Sequence, residues 1–361
     1  MRKAPTLKDI ARSSGLAVST VSAVCRGRGD FYHISRKTQA KVLQVAEEIG
    51  YRLNRLAVYL KTGVSNFVPV LGRTYQVPIT QQRQNRIVQL LRQAGFQVLM
   101  NDFRWFEGKE KELLASVREI PFAGLVVSDL SQSDLRLQLR PLRGQVPCIL
   151  VDSCQPEDFD HVYLDRTLVA YLATRHLLQD GYQRIVYTVP WEREFWVLKE
   201  RRQGFIQAME EDGKPVGPEN FVWVEKRKES SYHLGVEIGQ KIAEAKKKPE
   251  AVIALNDQVA IGLMRAFQIV GIRVPEDIAV VGSENLPEGE FCQVPLTSID
   301  FQIEQMAQEV LNLFQKRFSG DWSDFPKKIV LSPKLVTRQS CGCFLRKNQT
   351  REVEDEKEGK N

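Results

Sequence analysis

The sequence predicts a small all-α head followed by a larger α/β body, and three observations carry that expectation. Residues 1–50 hold three short segments of helical periodicity, separated by polar or glycine-containing breaks. From about residue 67, short apolar runs alternate with amphipathic stretches, which is the pattern of parallel sheets covered by helices. Charge is also lopsided: residues 1–60 carry eleven Lys or Arg against four Asp or Glu, a formal +7, while the whole chain of 361 residues carries +6. A nearly neutral body with a basic head is the distribution of a protein whose attachment meets a polyanion.

The first helix begins at Thr6, which can cap the opening amides while Asp9 returns the bond. Leu7, Ile10 and Ala11 share a face, and Gly15 allows the tight turn that ends the helix. A second helix over 18–25 turns Val21 and Val24 inward. A third, over 36–49, is capped by Ser35 and stripes Val42, Val45 and Ile49 along one side. Helix, short turn, helix, loop and helix is helix-turn-helix grammar. Its second helix would offer Val18, Ser19, Thr20 and Ser22 to base edges in a major groove. Thr6, Arg26, Arg28, Lys37 and Lys41 surround it as candidate phosphate contacts. One more short helix over 54–63, closed by Gly63, leads into the linker 64–66, and at two turns it needs a partner or a groove to be stable.

In the body, strands are expected at 67–71, 97–100, 124–127, 148–151, 185–188, 221–224, 251–255 and 278–281. Helical stretches lie between them, among them 80–94, 201–211, 232–245 and 259–270. No G-x-G-x-x-G follows the first strand and no G-x-x-x-x-G-K-S/T occurs, which excludes dinucleotide and P-loop readings. With 43% hydrophobic and 27% charged residues the chain can build cores, and its length suggests two or three packed units. No run nears the ~20 apolar residues of a membrane span. Six cysteines without dense spacing, and a start lacking a signal-like apolar stretch, lead us to expect a reduced cytoplasmic protein, nucleoid-associated when on DNA.

An enzyme is not expected. Asp152, His161 and Cys148 or Cys154 are close in sequence but show no G-x-S-x-G elbow, and no H-E-x-x-H occurs. Cys341-Gly342-Cys343 is too closely spaced for a zinc site without partners, and His161, His176 and His233 are scattered, so neither metal nor cofactor is expected.

TLKDIARSSGLAVSTVSAVCRG and ISRKTQAKVLQVAEEIGYRLNRLAVYLKTG resemble the LacI/GalR family of bacterial transcription regulators. The C-terminal AVIALNDQVAIGLMRAFQIVGIRVPEDIAVVGSEN and PLTSIDFQIEQMAQEVLNLF repeat the resemblance, which reaches about residue 340. It implies a helix-turn-helix domain over 1–53, a hinge over 54–66 and a two-lobed periplasmic-binding-protein-like domain over 67–340. The N-lobe would comprise 67–163 and 297–329, the C-lobe 164–296 and 330–340. The polar tail 341–361 lacks leucine heptads, so a disordered end and a homodimer are expected. The resemblance also implies that Leu60, with Asn54 and Ala57, enters the minor groove and pries open a central base step. Ala17 replaces a usual Ser or Thr, Ala23 replaces a frequent Arg, and the loop 26–33 is longer by a few residues. These departures suggest an unusual operator.

For the cleft between the lobes, the resemblance carries over Asp152 and Asn256 as hydroxyl partners and Arg201 as the fork on a ligand oxygen. Glu284 stands where sugar-binding members have aspartate. Trp105, Trp191, Phe195 and Trp223 fall near strand ends, where flat rings suit a pyranose and equally a purine. The expected function is therefore a repressor of operator DNA, with pseudo-palindromic sites, gated by a small ligand, most simply a sugar. The alternative is an activator or corepressor-dependent regulator responding to a purine or another small metabolite. A DNA-independent sugar-binding protein would need a signal sequence and would leave the basic head unexplained. If Leu60 is the wedge, Leu60→Ala weakens specific operator binding by on the order of tenfold, ~1.4 kcal/mol, and non-specific binding far less. Equal losses in paired titrations would rule the wedge out.

Overall fold

The computed structural model describes residues 5–52, 65–72, 78–102, 112, 121–129, 139–153, 158–190, 196–224 and 230–343. The chain divides into two compact units, Met1–Ser65 and Asn66–Asn361.

In the first unit, α1 (Leu7–Ser14), α2 (Val18–Cys25) and α3 (Arg36–Glu48) enclose Ile10, Ala11, Val21, Val24, Val42 and Ala46. Asp9 holds the start of α1 by accepting from the Thr6 amide at 2.8 Å and the Thr6 hydroxyl at 2.7 Å. Gly15, at φ +69°, closes α1 in the left-handed region. Ala17 caps α2 with no side-chain bond, whereas Ser35 accepts from the Thr38 amide at 3.2 Å to cap α3. The loop between α2 and α3 is pinned by Gln39, whose Nε2 donates to Asp30 Oδ1 and to the Ile34 carbonyl, both at 2.8 Å.

The second unit is built on two six-stranded sheets. The first contains β1 (Phe67–Gly72), β2 (Gln97–Asp102), β3 (Leu125–Ser128), β4 (Cys148–Val151), β5 (Asp160–Leu164) and β11 (Lys328–Leu331), in the order β11-β5-β4-β3-β1-β2. The second contains β6 (Ile185–Pro190), β7 (Phe221–Val224), β8 (Ala251–Ile253), β9 (Ala279–Glu284), β10 (Thr297–Asp300) and β12 (Lys334–Val336), in the order β12-β10-β9-β8-β6-β7. Every pair is parallel except β10 with β12. The central strands are apolar on both faces, as a doubly covered parallel sheet requires. The helices are α4 (Pro78–Gln93), α5 (Arg166–Gln179), α6 (Trp196–Glu211), α7 (Ser231–Glu244), α8 (Asp257–Ile269), the single turn α9 (Pro287–Glu290) and α10 (Ile303–Phe318). Among the described residues no helix is long and apolar enough to cross a membrane.

The chain passes between the sheets three times: from β5 into α5, from β10 into α10, and from β11 into β12. The return was expected near residue 297, with 297–329 in the N-lobe. Residues 297–300 instead pair with Val281–Glu284 of β9, so they belong to the second sheet, and the chain returns only after Asp300. The Ser-Ile run fits a parallel sheet in either lobe, and only its register with β9 distinguishes them.

Two features lock the elements that reach the cleft. A Cβ on Gly204 of α6 would lie 1.9 Å from the Thr167 carbonyl, so α6 and α5 meet backbone to backbone. That contact sets Arg201, one turn earlier on α6, beside the first crossover. On α10, the buried Arg317 donates to both oxygens of buried Asp160, from Nε at 2.8 Å and Nη2 at 2.9 Å, and from Nη1 to Asp324 at 2.6 Å. The Lys327 amide adds a bond to Asp160 at 2.8 Å. This joins the returned helix to β5 and to the approach of β11. Arg317→Ala would leave Asp160 charged and buried without its partner, and we expect a loss of about 3–5 kcal/mol in urea denaturation.

Candidate functional site

The C-terminal ends of the parallel strands converge on a polar cluster between the lobes. Asp152, directly after β4, is its centre. Its Oδ1 accepts from the Leu164 amide at 3.1 Å; its Oδ2 accepts from Arg83 Nη1 of α4 at 2.5 Å and from Arg166 Nη2 of α5. Arg83 Nη2 also donates to both oxygens of Asp129, after β3, at 2.6 and 2.5 Å. Burial works against the Asp152 charge, but Arg166, Arg83 and the Leu164 amide outweigh it and hold the carboxyl below its ordinary value.

On the opposite lobe, Arg201 Nη1 donates to the Leu255 carbonyl at 2.7 Å. Arg166 and Arg201 both lie over the ring of Phe301, at 4.8 and 5.2 Å, on the second crossover. Glu284 ends β9 and is buried; desolvation pushes its carboxyl up to about 8, against the pull of Arg201. At neutral pH Glu284 is therefore largely protonated and can donate as well as accept. In the first lobe, the buried Gln84 amide packs on Gly72 at the end of β1. A Cβ there would sit 1.7 Å from Gln84 Nε2 and 3.2 Å from Ser128 Cβ, so glycine makes room for the amide.

Backbone strain marks the same places. Asp129, Asp152 and Glu284 have φ of 57°, 47° and 119°, a region costly for residues with a Cβ. Several buried polar atoms here have no hydrogen-bond partner among the described residues: Nε of Arg83, Arg166 and Arg201, both amide atoms of Gln84, Ser128 Oγ and Glu284 Oε2. Each would cost about 1–3 kcal/mol if left unmet. Such an array is built to bind something polar.

Of the residues expected in the cleft, the structure brings Asp152, Arg201 and Glu284 into this network. Asp152 serves as the anchor of two arginines rather than as an uncommitted hydroxyl acceptor. Asn256 is the cap of α8, its Oδ1 accepting from the Val259 amide at 2.9 Å. Asp257 is structural, accepting from the Leu286 amide and the Ser298 hydroxyl, both at 2.6 Å, and burial pushes it up to about 6. Trp223 is half-buried on edge strand β7 and packs on Phe221, with ring centroids 5.7 Å apart. Trp105, Trp191 and Phe195 lie outside the described residues, as do the hinge positions Asn54, Ala57 and Leu60 and residues 344–361 of the expected tail. That tail was expected to start at 341, but 341–343 are folded, with Cys341 and Cys343 buried.

Sequence reasoning missed Arg83, Gln84, Ser128, Asp129, Arg166 and Phe301. Arg83 and Gln84 fall in an amphipathic helix where they read as solvated residues. The one available signal was Arg166, an arginine directly following the expected first crossover.

Burial also disposes of the residues that might have suggested catalysis. His161, which accepts from the Ser153 amide at 3.2 Å, is held down at about 4, and the Cys148 thiol is pushed up to about 12. Near neutral pH His161 is therefore a neutral imidazole whose Nε2 is engaged by the Ser153 amide, and Cys148 stays a thiol.

On the head, Val18, Ser19, Thr6, Arg28, Lys37 and Lys41 are exposed, while Thr20, Ser22 and Arg26 are half-buried. Arg26 Nε is itself enclosed. Phe31 and Tyr32, which motif reading passed over, stand 75% and 55% exposed and meet edge to face at 5.0 Å. On a basic head, large exposed rings are candidate contacts in their own right.

A helix-turn-helix head followed by a two-lobed body with a polar cleft defines a ligand-responsive DNA-binding regulator. Residues 6–54 match the bacterial regulatory proteins of the lacI family, and residues 174–341 match the periplasmic binding protein-like domain. The chain belongs to the lacI family. It is 28% identical to the HTH-type transcriptional regulator DegA of Bacillus subtilis, over 93% of this chain and 97% of that protein. Identity to the HTH-type transcriptional repressor PurR of Photobacterium profundum is 26%, over 93% and 98%. The lac repressor dimer bound to operator and the anti-inducer ONPF shares the fold, with a TM-score of 0.77 and 23% identity over 94% of this chain and 99% of that one. The protein is thus a sequence-specific DNA-binding regulator with ligand-controlled operator affinity.

The raised Glu284 value has a measurable consequence. Between the ordinary 4.5 and about 8 the folded state holds a proton that the unfolded chain has lost. Stability from this group is therefore full below 4.5 and falls as pH rises through about 8. Melting curves of Glu284→Gln, compared with the parent, should show the variant gaining relative stability across that window; a constant difference would contradict the assignment.

Proposed function

We propose that the protein represses transcription as a homodimer on a pseudo-palindromic operator, and that its effector is a planar, acceptor-rich metabolite of the purine class rather than a neutral sugar. The observation that carries this reading is the set of unpartnered buried polar atoms between the lobes. Sugar recognition calls for an uncommitted carboxylate to take hydroxyl protons. Here Asp152 already accepts three bonds, and Glu284 is largely protonated. The open groups are instead mostly donors, from Arg83, Arg166, Arg201 and Ser128, together with the Gln84 carboxamide. A carboxamide pairs its acceptor and donor with the matching edge of a heterocyclic base. The likeness to repressors carrying the name PurR points the same way.

Binding couples to the operator through the lobes. Gln84 and Ser128 belong to one lobe and Arg201 and Glu284 to the other, so a ligand held by both favours the closed arrangement. In this reading the hinge residues Asn54, Ala57 and Leu60 transmit the change to DNA, where Val18, Ser19, Thr20 and Ser22 read base edges.

Operator titrations of the full-length protein with a panel of purine bases and nucleosides, and with neutral mono- and disaccharides, test this and read the sign of the coupling. We expect a purine to shift operator affinity by about 5–150-fold. Arg201→Ala and Gln84→Leu should remove that response while operator affinity without ligand stays close to the parent's. A response to a saccharide and none to purines would return the effector to the sugar class.

A further inference from the structure

Two pairs of metal-ligating side chains, far apart in sequence, meet in the second lobe. His176 and Asp180 stand one turn apart at the end of α5, so both point from the same face, with Nε2 and Oδ2 3.5 Å apart. Cys341 and Cys343 follow β12 and are buried. Gly342 between them has φ +74°, a left-handed turn. The turn is held in place: the Gly342 amide donates to the Gln339 carbonyl at 3.0 Å, and the Tyr182 hydroxyl, just beyond α5, donates to the Cys341 carbonyl at 2.8 Å. One ligand atom from each of His176, Asp180, Cys341 and Cys343 lies within 4.8 Å of all the others.

We propose that these four side chains form a structural zinc site. In the sequence, Cys341-Gly342-Cys343 had no partners; the fold supplies an imidazole and a carboxylate from α5. Two sulfurs, one nitrogen and one oxygen suit a borderline-soft ion with tetrahedral preference, and this donor set disfavours calcium or magnesium. Zinc bonds of about 2.3 Å to sulfur and about 2.0–2.1 Å to nitrogen and oxygen put tetrahedral ligands about 3.3–3.8 Å apart. Rotamer adjustments of about an ångström therefore close the shell. With four protein ligands no position is left for a substrate, so the ion's work is to clamp the segment after the third crossover onto the end of α5. Because that segment follows edge strand β12, the clamp ties this margin of the second sheet to the end of α5.

The test uses untagged full-length protein, kept reduced, loaded with Zn²⁺, desalted and analysed for bound metal. We expect about one zinc per chain in the parent and in Cys292→Ser, and loss to background in the Cys341→Ser/Cys343→Ser double variant, with operator binding reporting that the variant is folded. Co²⁺ in place of zinc should give the parent a thiolate-to-cobalt charge-transfer band and the intense visible bands of a tetrahedral ion, both weakened in Asp180→Asn. Chelation should lower the parent's melting temperature and leave the double variant's unchanged. No zinc uptake by the reduced parent, or equal uptake by a folded double variant, overturns the proposal. Should the double variant not fold, absence of the sulfur charge-transfer band in the parent overturns it, and its presence upholds it.

Discussion

The buried Asp152 carboxylate is the constraint around which the second unit is organised. A carboxylate withdrawn from water must be paired, and here the partners come from two helices that are distant in sequence. Arg83 reaches it from α4 and Arg166 from the first turn of α5, while the Leu164 amide closes the third side. Arg166 begins the helix that leaves the first sheet, so the ion pair sits at the point where the chain crosses between lobes. The charge cannot be moved without disturbing the crossover. Neither can the crossover slide without uncovering the charge.

That anchor explains how strained backbone is tolerated. Asp129, Asp152 and Glu284 sit in left-handed or near-left-handed conformations at strand ends, a cost of about 1–3 kcal/mol each. For Asp152 and Asp129 the arginine bonds hold the residue in place. Glu284 has no such ion pair among the described residues; burial instead keeps its carboxyl neutral, the proton remaining in the folded state up to about 8. The cleft thus contains one carboxyl kept charged by its neighbours and one kept neutral by burial. Around them the open groups differ: the Nε donors of Arg83 and Arg166 beside Asp152, and a neutral carboxyl at Glu284.

The two-lobed design separates stability from response. Arg317 with Asp160 and the backbone contact at Gly204 secure elements within a lobe or at its margin. The open polar atoms of Arg83, Gln84, Ser128, Arg166, Arg201 and Glu284 lie instead at or near the strand ends and the first crossover. Binding energy spent there changes the relation of the lobes without taxing either core, which suits a protein whose output is a shift in population.

Much of the fold was legible in the sequence. The head follows from local chemistry: Thr6 with Asp9 and Ser35 as starts, Gly15 as a stop, and apolar spacing over Ile10, Val21, Val24 and Val42. Alternating runs such as Cys148–Val151 likewise identified sheet strands, because buried parallel strands are apolar on both faces. Arg201 and Glu284 were accessible through family resemblance. Tertiary structure alone decided that strand Thr297–Asp300 joins the second sheet, that Asp152 is held by two arginines and the Leu164 amide, and that Gln84 is buried against Gly72 rather than solvated. It alone brought His176 and Asp180 to Cys341 and Cys343. The physical reason is common to all four: periodicity and caps report interactions within a few residues, whereas register, charge pairing and ligand convergence depend on where the chain crosses and which distant surface it meets.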